Sequence, residues 1–105
     1  MLKQKNVLDN LKGLSLVLVS DDVCACNVSM MSVTKNIARQ HNLTYVKVFA
    51  KDELEFCKKF NIDTVPSVLL LNDNKILANV HGYQPEEILE LYIEAKLNDF
   101  NERGN

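Results

Sequence analysis

Two thiols one residue apart, in the run Cys24-Ala25-Cys26, are the groups of this chain best suited to chemistry. A thiolate is a nucleophile and a metal ligand, and a neighbouring thiol can close onto it as a disulfide. The pair lies between an apolar run and an amphipathic one, the junction of a strand and a helix. Free backbone amides and the positive end of a helix dipole stabilise an anion at such a junction. Asp21 and Asp22 act the other way, because nearby negative charge raises a thiol pKa. Residues two apart in a helix interior point to nearly opposite sides, so a bond between these sulfurs requires the turn ahead of the helix. The ring it closes is one residue smaller than in a Cys-x-x-Cys loop, which makes the bond more strained and easier to reduce. Two other readings of the pair remain open: small buried hydrophobes, or soft ligands for copper(I) or zinc.

The remaining candidates are weaker. Cys57 stands beside Phe56 and Phe60 on the inward side of a short helix and reads as packing. His81, ahead of Gly82, could serve as a proton donor at a strand end, and His41 complements a helix dipole. Lys47 on a strand can snorkel to the surface or sit beneath the cysteines and favour a thiolate. Met30 and Met31 fill core. Val65-Pro66 opens an apolar run, and proline there must lie at the very start of a strand or on an edge, where an X-Pro bond in a tight turn can be cis.

The elements that position these groups follow from periodicity. Residues 3–12 are polar, with apolar Val7, Leu8 and Leu11 at helical spacing, and read as a short helix stopped at Gly13. Leu14 to Ser20 is nearly all apolar, the pattern of a strand buried on both faces. From 27 to 41, Met30, Met31, Val33, Ile37 and Ala38 fall at spacings of three and four, an amphipathic helix. Residues 45–50 form a second strand. Asp52 can cap a third helix, with Glu55 reaching back, and Asn61 is its left-handed stop. Strands over 68–71 and 75–80 are joined by Asn72-Asp73-Asn74 in a tight hairpin. Pro85, Glu86 and Glu87 open a final helix, followed by a polar tail over 98–105. A βαβ unit followed by a ββα unit implies one mixed sheet flanked by helices in an α/β fold, a single domain over 1–105 with its core at about 14–97.

Composition bounds the function. A chain of 105 residues, 47% hydrophobic, can bury a core without staples, and no linker divides it. Twelve basic against fourteen acidic residues, a net charge of −2, give no field suited to nucleic acid. No apolar run approaches a membrane span, and the run ending at Val19 passes straight into Ser20-Asp21-Asp22 rather than a signal cleavage site, so export by that route is not expected. Three cysteines, an odd number, suit a reducing, cytoplasmic compartment.

These pieces together resemble thioredoxin over about residues 14–97. The features that match are a strand with cysteines at its carboxyl end, a long helix, Lys47 on the next strand, the loop Asp63-Thr64-Val65-Pro66, the Asn72-Asp73-Asn74 turn and Gly82 beyond it. The alignment puts Cys24 at the family's attacking cysteine, Cys26 at the proline of Cys-Gly-Pro-Cys and Asn27 at the second cysteine, so the motif here is Cys-x-Cys. Val23 stands for the tryptophan before the motif, Leu18 for the buried acid of proton transfer, and Ser32 for the proline of the long helix. The family's amino-terminal strand has no counterpart.

The resemblance implies a thiol-disulfide oxidoreductase without cofactor or bound metal, oxidant- or isomerase-like rather than a general reductase. Cys24 would attack and Cys26 would resolve. Val23, Thr64, Val65, cis-Pro66, Gly82 and Tyr83 would line the substrate groove, with Lys47 in support on an inner strand. The implied partners are protein or small-molecule disulfides, with a thioredoxin-reductase-like or glutathione electron donor. The alternatives are a non-catalytic thioredoxin-like binding module and, behind it, a copper or zinc binder.

Overall fold

A computed structural model describes residues 11–21, 26–82 and 84–103, with backbone alone for Cys26, Asn27, Glu102 and Arg103. In chain order the elements are β1 (Leu14–Ser20), α1 (Cys26–Gln40), β2 (Thr44–Phe49), α2 (Leu54–Lys59), β3 (Ser67–Asn72), β4 (Lys75–His81) and α3 (Glu86–Arg103). The four strands form one mixed sheet in the order β2-β1-β3-β4, with β1 parallel to β2 and antiparallel to β3, and β3 antiparallel to β4.

The side-chain alternation of β1 and β3 divides the core into two layers. Leu16 and Leu18 of β1 and Val68 and Leu70 of β3 face Met30, Val33 and Ile37 of α1 and Leu89, Ile93 and Leu97 of α3. Val17, Val19, Leu69 and Leu71 face the other way, onto Phe56 and Cys57 of α2 and Leu11. Both strands are sealed on both sides, which is why each reads as a continuous apolar run. Thr34 of α1 is a fully buried polar residue beside this first layer. Its hydroxyl donates to the Met30 carbonyl at 2.7 Å, which leaves the Tyr45 hydroxyl to donate to it at 2.8 Å and tie α1 to β2.

Asparagine ends two of the helices. Asn42 (φ 57°) follows α1, with the Leu43 amide on the Ala38 carbonyl at 2.8 Å and the Asn42 amide on Arg39 at 3.4 Å. Asn61 (φ 56°) does the same for α2, through Ile62 to Cys57 at 2.8 Å and Asn61 to Lys58 at 3.3 Å. Both are Schellman closures, and the one at Asn61 was expected. The hairpin turns on Asp73 and Asn74, at φ 50° and 68°, the paired positive values of a type I′ turn. The turn is clamped to the start of β1: the Gly13 amide donates to the Asp73 carboxylate at 2.7 Å, and the Asp73 amide donates to the Gly13 carbonyl at 3.0 Å.

Several expected boundaries move. Asp52 does not cap α2. It closes a single 3-10 turn over Ala50–Asp52, and α2 starts two residues later behind Glu53, with no side-chain cap. Strand β2 is an edge strand among the described residues, not an inner one. The final helix runs on through Arg103, so most of the expected polar tail is helical. Leu11 and Lys12 are not helical, and the rest of the expected helix over 3–12, like any amino-terminal strand, lies outside the described residues.

The two faces of α3 give a direct test of this packing. Ile93 is fully buried between α3 and the sheet, whereas Ile88, five residues earlier, is 54% exposed. Ile93→Ala is expected to destabilise the fold by about 2–5 kcal/mol through lost burial and a residual cavity. Ile88→Ala should stay within about 0.5 kcal/mol, both read from urea unfolding curves.

Candidate active site

The antiparallel register of β1 on β3 determines where the candidate residues meet. Val19, at the carboxyl end of β1, pairs with Ser67, at the amino end of β3, and Ser67 pairs in turn with His81, the last residue of β4. One end of the sheet therefore gathers the exit of β1, the loop entering β3 and the exit of β4. The first residue of α1 is Cys26, so residues 21–25 link that end of the sheet to the amino terminus of a 15-residue helix. Cys24, Val23 and Tyr83 lie outside the described residues, and of Cys26 only the backbone is described.

The entry to β3 is closely held. The Val65–Pro66 peptide bond is cis, and Pro66 is buried. Its carbonyl accepts the Gly82 amide at 2.7 Å, which joins the proline loop to the exit of β4. Gly82 sits at φ 84°, and a Cβ there would meet nothing within 4 Å, so backbone conformation rather than space selects glycine. Thr64 is exposed and Val65 half-buried. The structure thus brings Thr64, Val65, Pro66 and Gly82 to one edge.

Ser67 belongs to the same network and was not singled out from the sequence. Fully buried, its hydroxyl donates to the Thr64 carbonyl, and His81 Nδ1 lies 3.4 Å from the same oxygen. Because the one hydroxyl hydrogen goes to Thr64, His81 must supply the hydrogen of that second contact. A serine leading an otherwise apolar run was the available signal.

Lys47 pairs with Leu18, and both side chains lie on the face of the sheet that carries α1. Leu18 is fully buried, and the Lys47 ammonium sits 3.8 Å from the centroid of the Phe49 ring, a cation–π contact that holds it along β2. Cys57 is buried in the opposite layer, its Sγ 4.0 Å from the Ala50 carbonyl, next to a Phe56–Phe60 ring pair with centroids 4.8 Å apart. Burial, and secondly the charge of Glu53, push its thiol above the ordinary value of 9.0. Burial likewise raises the Tyr45 phenol, with the Thr34 hydrogen bond acting in opposition. Among the described residues no three His, Cys, Asp or Glu side chains cluster to hold a metal ion, and no helix is long and apolar enough to cross a membrane.

The sequence profile of thioredoxin matches residues 3–95. The chain belongs to the thioredoxin family. Solved thioredoxins share its fold. A single-residue mutant of thioredoxin from Halobacterium salinarum NRC-1 is 22% identical, with a TM-score of 0.77 over 89% of this chain and 86% of that one. Thioredoxin 1 from Thermosipho africanus is 16% identical, with a TM-score of 0.71 over 83% and 98% of the two chains. The thioredoxin NaTrxh from Nicotiana alata is 21% identical, with a TM-score of 0.70 over 86% and 78%. No curated protein sequence matches the chain. Family membership and the thioredoxin fold agree with the resemblance seen in the sequence, and the family's chemistry is thiol-disulfide exchange.

The buried thiol makes this thioredoxin-fold chain sensitive to alkali with a defined sign. Since the folded pKa of Cys57 lies above the unfolded one, the unfolded chain releases its proton first as pH rises, and stability falls from about pH 9 upward. Urea midpoints at pH 8 and pH 10 should show the loss, and Cys57→Ala should reduce it. In the native protein at pH 8, Cys57 should react with iodoacetamide at least about tenfold more slowly than in urea, and Glu53→Gln should speed the native reaction.

Proposed function

We propose that the chain is a thiol-disulfide oxidoreductase that works through a reversible Cys24–Cys26 disulfide. The observation that carries the reading is the register of β1 on β3, which sets the exit of β1 beside the Val65–Pro66 loop at the amino terminus of α1. Cys24 stands two residues ahead of the first residue of that helix in the sequence, where free amides and the dipole favour a thiolate. The Cys24 thiolate attacks one sulfur of a substrate disulfide, forms a mixed disulfide and expels the other sulfur as a thiolate. The Cys26 thiolate then attacks Cys24 Sγ and releases the second substrate thiolate. The substrate gains two electrons and the cysteine pair loses two; a thiol donor, glutathione or a thioredoxin-reductase-like partner, returns them. The short Cys-x-Cys ring favours the reduced pair, which tilts the protein toward oxidising or isomerising substrates.

Substrate backbone has a docking point in this reading. Among the described residues no hydrogen bond engages the Val65 amide or carbonyl, and these are the groups that an extended peptide would pair with. Val23, Thr64, Pro66, Gly82 and Tyr83 complete the groove, and Lys47 supports the thiolate from β2. Leu18 speaks for a second reading, a thioredoxin-fold module that binds partners without turnover, because no carboxyl stands at that buried position to move a proton.

Mass measurement across a series of glutathione redox buffers separates the two. Wild type should lose and regain two hydrogens reversibly, Cys57→Ser should do the same, and Cys24→Ser should not. If wild type shows no such change at any accessible potential, the redox reading fails and the binding module stands.

A further inference from the structure

A cavity of about 280 Å³ lies at the carboxyl ends of the parallel strands β1 and β2, lined by Ser20, Asp21, Phe49, Ala50, Lys51 and Val65. Ser20 and Phe49 are cross-strand partners, so Asp21 and Lys51 leave the sheet from neighbouring strand ends. Carboxyl ends of parallel strands are where open α/β sheets take ligands. At this size the cavity suits a group no larger than an amino acid, below the usual range for drug-sized molecules.

The wall has a specific chemical character. Ser20 is fully buried, and its hydroxyl has no hydrogen-bond partner among the described residues. A buried hydroxyl without a partner is costly to the fold, and a ligand that supplies one recovers that cost. Asp21 offers a negative charge and Lys51 a positive one; each already engages other groups, and their charges nonetheless border the space. A second cation, Lys47, rests against the Phe49 ring that forms one side. Phe49, Ala50 and Val65 supply an apolar surface between the charged ends. Opposite charges with a hydroxyl donor and a short apolar wall are complementary to an α-ammonium, an α-carboxylate and the methylene between them and a sulfur.

We propose that this cavity binds the α-aminocarboxylate end of a small aminothiol, with Lys51 taking the carboxylate, Asp21 the ammonium and Ser20 a hydrogen bond. Val65 is shared with the candidate groove, so a ligand seated here borders that groove. That the physiological ligand is a disulfide rests on the redox reading of Cys24 and Cys26; the binding site itself does not.

The test uses inert thioethers, so that binding is read without redox chemistry. S-methyl-L-cysteine titrated into the full-length ¹⁵N-labelled protein should shift the amides of Ser20, Phe49, Ala50, Lys51 and Val65, saturating on the order of millimolar. 2-(Methylthio)ethylamine, which lacks the carboxylate, and 3-(methylthio)propanoic acid, which lacks the ammonium, should each bind about fivefold or more weakly. Lys51→Met should abolish the preference for S-methyl-L-cysteine over the amine, and Ser20→Leu should block all three. If Ser20→Leu fails to fold, Lys51→Met still decides, since Lys51 is exposed. S-methylglutathione distinguishes the source: shifts at the same amides assign a γ-glutamyl tripeptide, and silence with S-methyl-L-cysteine bound assigns the free amino acid. Equal binding of the three thioethers, or no shift at these amides up to about 50 mM, overturns the site. Retained binding in a protein that fails the redox titration removes the oxidoreductase reading alone; loss of binding in a protein that passes it removes the site alone.

Discussion

The fold depends on the burial of β1 from both faces. Ser15 to Ser20 have no measurable exposure, and the helices are placed by which face of this strand they cover. One layer belongs to α1 and α3 and the other to α2, and β3 repeats the division one strand away. A strand with no solvent face tolerates only apolar or small hydroxyl side chains. That restriction explains why the position the family gives to a buried acid can hold Leu18 without disturbing the architecture: the site is apolar on every side, and leucine fits it without an unpaired charge. In the oxidoreductase reading, the same residue leaves no carboxyl there to carry a proton. Stability and chemistry pull apart at one residue.

Electrostatics at the end of the sheet where β1 and β4 exit are consequently organised from its rim. Lys47 is held on the Phe49 ring, His81 donates toward Ser67, and Asp21 and Lys51 stand at the ends of adjacent strands. Ser67 joins the proline loop and the last residue of β4 through one oxygen, so the Thr64 to Ser67 segment and the β4 exit are fixed relative to each other before any substrate arrives. A preordered edge of this kind lowers the entropy lost when an extended chain docks.

Much of this was legible in the residues. Strands β1 and β3 announced themselves as uninterrupted apolar runs, α1 through the spacing of Met30, Val33 and Ile37, and the hairpin through Asp73 and Asn74. The family match of Lys47, Val65, Pro66 and Gly82 was legible too, because it was spread along the chain. What the residues did not disclose was decided by tertiary competition. Asp52 has the chemistry of a helix cap, yet the chain leaving β2 first makes a 3-10 turn, and the helix starts behind Glu53. The edge placement of β2 depends on long-range pairing that local pattern cannot carry. Ser20 and Ser67 looked like interruptions at the ends of apolar strands; their buried hydroxyls acquire meaning only once the loop carbonyl and the cavity are placed beside them.

The clamp between Gly13 and Asp73 has a bearing on how the chain assembles. Two hydrogen bonds join residues 60 positions apart, one on each side of nearly all the βαβ and α2 sequence. Closing so long a loop carries an entropic cost that neither bond could meet alone, so the pair becomes close only after β1 and β3 have found their register. The clamp is therefore a latch rather than a nucleus. It secures a topology that hydrophobic pairing has already chosen, and in doing so it fastens the end of the sheet opposite the exit of β1.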